Sequence, residues 1–128
     1  MGVLDWLGMK PEPKKDPVPV SDDTFKDEVQ RSDLPVLLDA WGPNCQPCKA
    51  LVPTIQRLTA KYEGRIKVVE LNVARNPRTA GKLGIRGTPT VVFFKKGRIV
   101  EQVVGMRGQH YYEDIIENSL LGGPARAE

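Results

Sequence analysis

Cysteine occurs twice in these 128 residues and histidine once. So few sulfurs exclude a disulfide-stapled scaffold. They also leave a zinc site short, since a closed site needs about four ligands and Cys45, Cys48 and the distant His110 supply three at most. Only two chains pooling their cysteines could hold a metal or cluster, and no metal is expected. Long apolar runs are missing too: the longest is a handful of residues, against the roughly 20 needed to span a bilayer. A strong charge of one sign is also absent. Nineteen Lys and Arg against sixteen Asp and Glu leave +3, spread without a long basic run, so nucleic acid is not an expected partner. The first ten residues carry Asp5 and lack a basic leader and a small-residue cleavage site, and Trp6 stands where a lipidation signal after Gly2 wants Ser or Thr. The expected compartment is therefore the cytoplasm, where a permanent structural disulfide is disfavoured and a transient one is not.

What is present is an ordinary globular balance, 40% hydrophobic and 27% charged, enough for one domain with a real core. The two cysteines stand as Cys45-Gln46-Pro47-Cys48, straight after the strand-like run Val36-Leu37-Leu38-Asp39-Ala40-Trp41 and straight before a helix-like stretch beginning Lys49-Ala50-Leu51. In that setting a C-x-x-C reads as a redox motif. Thiols three residues apart on the first turn of a helix share one side of it and can close a small disulfide ring. Unpaired N–H groups and the positive helix end favour a thiolate on the first, while the second lies deeper in the turn. Cys45 is expected to attack and Cys48 to resolve. Two inert buried thiols are the competing reading, weakened by the motifs around them.

Residues 11–19 hold four prolines and four charges, the composition of an extended linker, so the domain is expected from about Val18 to Leu121, between an N-terminal tail with its linker (1–17) and a C-terminal tail (122–128). Asp22 or Asp23 can cap a helix running to about Arg31, followed by a strand from Leu34 to Trp41 and a helix from Cys45 to about Tyr62 carrying Leu51, Ile55 and Leu58 at helical spacing. A strand over 66–73 and a short helix near Thr79 to Leu83, ended by Gly84, come next. Thr90 to Phe94 and Ile99 to Val104 flank the turn Lys95-Lys96-Gly97-Arg98, read as a solvated hairpin tip. A last amphipathic helix spans about Gln109 to Leu120, with His110 on the surface near its start. The pattern βαβαβ then ββα predicts an α/β fold with a central mixed sheet flanked by helices. In such sheets sites gather beyond the carboxyl ends of strands, which is where Trp41 leads into the C-x-x-C.

With these landmarks in order, and with Pro53 inside the helix, Gly84-Ile85-Arg86-Gly87-Thr88-Pro89-Thr90 and Val104-Gly105, the chain resembles the thioredoxin family over about residues 18–121. The resemblance implies the thioredoxin fold, reduction of disulfides in protein substrates through a Cys45–Cys48 dithiol, a thioredoxin-reductase-like electron donor, a monomer and no bound cofactor. It makes Pro89 a cis-proline beside the cysteines and gives Asp39 the role of proton acceptor for Cys48. It also puts Gly42, Pro43, Asn44, the Thr88 backbone and Gly105 along a shallow groove that receives an extended peptide.

Three positions depart from the family pattern. Gln46-Pro47 replaces the usual Gly-Pro; keeping Pro and lacking His argues for a reductant. On the reduction-potential scale thioredoxin itself lies near about −270 mV and the strong bacterial oxidant near about −120 mV, and Gln46 can move this chain by tens of millivolts along it. Asn44 stands where a Trp is typical, removing a flat apolar contact for partners. Glu70 stands where many members have Lys, and a carboxylate near Asp39 would raise the pKa of one of the pair and slow or pH-shift the resolving step. Two other functions stay open: a binding or sensing module switched by the cysteine pair, and a disulfide oxidase or isomerase. The apolar tail, with Leu4, Trp6 and Leu7, reads either as a loose end or as a docking peptide for a partner or a membrane surface.

Overall fold

A computed structural model of the chain describes residues 6–8 and 11–122; the remainder of both tails, Leu4 included, lies outside the described residues. Five strands form one sheet: β1 (Val18–Val20), β2 (Val36–Trp41), β3 (Lys67–Asn72), β4 (Thr90–Lys95) and β5 (Arg98–Val104), in the order β1-β3-β2-β4-β5. β1, β3 and β2 run parallel, β4 is antiparallel to β2, and β5 is antiparallel to β4. The helices are α1 (Lys26–Gln30), α2 (Gln46–Lys61), α3 (Pro77–Lys82) and α4 (Gln109–Ile115), the last continuing as a wider turn through Ile116–Leu120. This is the mixed α/β sheet expected from the alternation of patterns. None of the described helices is long and apolar enough to cross a membrane.

Alternation along β2 sorts the core into two layers. Leu37 packs with Leu51, Ile55 and Leu58 of α2 and with Tyr112 and Ile116 of the last helix. Val36, Leu38 and Ala40 pack with Phe25, Val29 and Leu83 on the other face. Each fully buried aliphatic or aromatic side chain contributes about 1.5–3 kcal/mol, so both layers are needed to hold the central strand.

One local expectation is corrected and another is sharpened. The first helix is shorter than the span to Arg31 that capping by Asp22 or Asp23 suggested: α1 covers Lys26–Gln30 in the wider i→i+5 winding, with Arg31 N–H donating to Lys26 O at 2.9 Å. Its approach is fixed by a reciprocal pair, Ser21 N–H to Thr24 Oγ1 (2.8 Å) and Thr24 N–H to Ser21 Oγ (3.3 Å), a capping box with Thr in place of Glu. Asp22 instead reaches across the fold and accepts from Thr79 N–H in α3 at 2.8 Å. The hairpin tip is solvated at Lys96 and Arg98 as expected, and it makes one contact besides. Lys96 and Gly97 both have positive φ (52° and 77°), as a two-residue primed turn requires, but a Cβ on Gly97 would lie 2.6 Å from the Gln30 carbonyl oxygen. The tip therefore abuts the end of α1.

The proline-rich segment carries no helix or strand over residues 11–17 and lies along α2. Lys15 N–H donates to Gln56 O (3.0 Å), Gln56 Nε2 donates to Asp16 Oδ1 (2.9 Å), and Lys15 Nζ pairs with Glu63 at 3.0 Å. Trp6 and Leu7 are exposed to solvent.

Candidate active site

β2 is the middle strand of the sheet, and its last residues carry the chain to the C-x-x-C. Cys45 is the N-cap of α2, and its Sγ accepts the Cys48 N–H at 3.2 Å, taking one of the donors a helix start leaves unpaired. Gln46 and Pro47 fill the first two helical positions, where proline costs nothing because no intrahelical donor is lost. The two sulfurs are joined as a disulfide, with Cα atoms 5.3 Å apart. They are unequally placed: Cys45 is partly exposed, whereas Cys48 is 5% exposed. Asn44 has φ 57°, a left-handed conformation that Asn tolerates and large residues adopt at a cost. Its identity thus suits its backbone, a reason separate from the missing ring.

The other expected residues fall into two groups that share Gly42. In the first, the Thr88–Pro89 bond is cis, and Gly105 N–H donates to Pro89 O at 2.8 Å. A Cβ on Gly42 would lie 3.2 Å from Thr88 Oγ1, so Gly42, Thr88, Pro89 and Gly105 are brought together. In the second, Gly42, Pro43, Asn44 and Cys48 line a cavity of about 260 Å³ with Asp39, Trp41 and Glu70. Asp39 and Glu70 are register partners on parallel β2 and β3 and leave the sheet on the same face. A second cavity of about 400 Å³ also borders Asp39 and Glu70 and extends to Asp16, Pro19 and Gln56, beneath the linker.

Asp39 is 5% exposed, and its Oδ1 has no hydrogen-bond partner among the described residues. Burial first, and the Glu70 carboxylate second, push its carboxyl up to about 7. Glu70 Oε1 accepts a long hydrogen bond from Trp41 Nε1 at 3.4 Å, tying the strand-end ring to the carboxyl pair. Tyr112, buried on the same face, feels the Asp39 charge as well; burial mainly, with Asp39 adding to it, raises its phenol. Sequence reasoning missed that Trp41 contacts Glu70 and that Lys49 and Val52 of α2 border the cavity. The available signal was spacing: Val52 lies four residues after Cys48, hence one turn along the same helix face. His110 is exposed near the start of α4 with Nδ1 3.1 Å from Glu113 Oε1, away from the cysteines' cavity. Among the described residues no group of three or more His, Cys, Asp or Glu is close enough to hold a metal.

Comparison with known proteins agrees with this geometry. Residues 16–118 match the family described as Thioredoxin. The chain belongs to the thioredoxin family. It is 49% identical over 86 residues to the thioredoxin of Synechocystis sp., covering 67% of this chain and 80% of that protein. Thioredoxin 1 of a Nostoc species is likewise 49% identical over 86 residues, with the same shares covered. The thioredoxin of Rickettsia conorii is 40% identical over 101 residues, 79% of this chain and 96% of that protein. Together with the close cysteine pair, family membership makes this chain a thiol–disulfide oxidoreductase, a protein-disulfide reductase.

Proposed function

We propose that the reduced chain reduces disulfides of partner proteins by a two-step exchange. The Cys45 thiolate attacks one sulfur of the substrate disulfide, forming a mixed disulfide and releasing the first substrate thiol. Cys48 then gives its proton to Asp39 and attacks Cys45 Sγ, closing the Cys45–Cys48 disulfide and releasing the second. Two electrons pass to the substrate, and a thioredoxin-reductase-like donor returns the dithiol. The observation that carries this reading is the unequal pair itself: an accessible sulfur at the helix cap and a buried one that shares its cavity with an unpartnered carboxyl. A base that titrates near neutrality suits proton transfer from a thiol.

Further roles follow from these two groups of residues. Gly42, Thr88, Pro89 and Gly105 border the groove for an extended substrate segment, with the Thr88 backbone available to pair with it, and Pro43 and Asn44 stand at its rim. Gln46 and Pro47 tune the dithiol, and Glu70 tunes Asp39 by like charge. The catalytic domain spans residues 18–121, works as a monomer in the reducing cytoplasm, and carries 1–17 and 122–128 as tails. Trapping tests the scheme. Cys48→Ser should accumulate a mixed disulfide between Cys45 and a disulfide-containing protein such as insulin, detected by mass spectrometry, and Cys45→Ser should form none. An adduct with neither variant would contradict it.

A further inference from the structure

The cavity on the Asp39 side of the cysteines is not used by the exchange steps beyond proton transfer, yet its lining is chemically specific. Its walls are apolar, with Trp41, Pro43 and Val52 contributing, and two carboxyls, Asp39 and Glu70, border it. Asp39 is more than nine-tenths buried with Oδ1 unpartnered, and no basic side chain among the described residues lies within ion-pair distance of either carboxyl. Lys49 borders the cavity too, but it is exposed, and its long stem lets the ammonium turn to water. Small, left-handed Asn44 is the residue on the lining next to Cys45, where a bulkier one would take up space.

Apolar walls with carboxylates among them match a side chain with an aliphatic stem and a cationic head. We propose that this cavity is a second recognition site, taking a Lys or Arg side chain of the partner protein that stands beside its disulfide. This rests on the reductase reading. The head would pair with Glu70, which is only partly buried, and the stem would lie along Trp41 and Val52, where the indole face also favours a cation. The site shares Gly42 with the Thr88–Pro89 groove and so adjoins it, and neighbouring residues of one partner can fill both at once. The chain's net charge of +3 works against basic partners, so a preference for them has to arise locally.

The test uses three disulfide-bridged peptides identical except for Arg, norleucine or Glu next to the cystine, with kcat/KM measured at low and high salt. The native protein should reduce the Arg peptide about tenfold faster than the norleucine peptide, the size expected of one partly buried charge contact, with Glu slowest. Glu70→Gln and Val52→Trp should each bring the Arg-to-norleucine ratio within about twofold, whatever they do to the overall rate. A native ratio within about twofold would overturn the proposal without any variant, and so would a ratio that persists in both variants. Reduction of all three peptides at one rate would sink the recognition site alone. Failure to reduce any of them would sink the reductase reading and this inference with it.

Discussion

The two faces of β2 begin alike and end differently. On one, Val36, Leu38 and Ala40 are all buried in an apolar layer. On the other, Leu37 is equally buried, but two residues on the strand carries Asp39, whose oxygen has no partner, and then Trp41, bonded to a second carboxyl. The first face follows the rule that a central strand maximises apolar burial. The second breaks it at the position that leads to the cysteines, and the break costs stability: a buried carboxyl must stay protonated or be ionised without solvation. Under the proposed exchange mechanism, the difference marks where the fold gives up stability for chemistry.

Cysteine replacement should break the comparison most completely. Cys45→Ser should reduce turnover to background while circular dichroism stays native, since both layers of the core lie elsewhere; a loss of folding would contradict the separation. Next come adjacent residues on opposite faces. Leu38→Ala should destabilise the protein by about 2–5 kcal/mol at every pH by leaving a cavity. Asp39→Asn should act with the opposite sign and only in part of the pH range. A carboxyl raised from 3.8 to about 7 holds its proton in the folded state after the unfolded chain has released it, so native stability falls as pH rises between those values and is level above them. The ceiling is roughly 4 kcal/mol, and urea unfolding of the oxidised protein at mildly alkaline pH should show the Asn variant more stable, with the gain vanishing near pH 4. A gain that is the same at both pH values would contradict the assignment.

Smaller effects sharpen the picture. Gly97→Ala meets both a positive φ and the Gln30 carbonyl, and should cost about 1–3 kcal/mol in urea unfolding, with turnover unchanged. Glu70→Gln should lower the Asp39 midpoint, followed by carboxyl NMR, yet leave it well above 3.8, because burial is the larger cause and like charge the smaller. A return to 3.8 would reverse that order.

The fold was legible because its strands are apolar runs with clear punctuation and α2 is long and periodic; Gly97 between Lys96 and Arg98 announced the hairpin. The cysteines were legible from spacing and context, and Asp39, Pro89 and Gly105 from family landmarks. What the sequence did not disclose depends on distant partners. Asp22 looks like a cap for its own helix and caps α3, 57 residues away, because only the folded sheet brings Thr79 to it. The docking of Lys15 and Asp16 on α2 is likewise a tertiary fact, hidden in a composition that reads as linker. The carboxyl pair was visible as two residues, but its shared cavity and the free oxygen of Asp39 depend on strand register and on what α2 leaves open.

The most direct test of the account is insulin-disulfide reduction measured from mildly acidic to alkaline pH with the native protein and with Asp39→Asn. The native chain is predicted to turn over, with a rate that rises through neutral pH as Asp39 becomes able to accept the Cys48 proton, and the Asn variant to be slower and to lack that rise. No turnover by the native chain, or superimposable pH profiles for the two proteins, would contradict it.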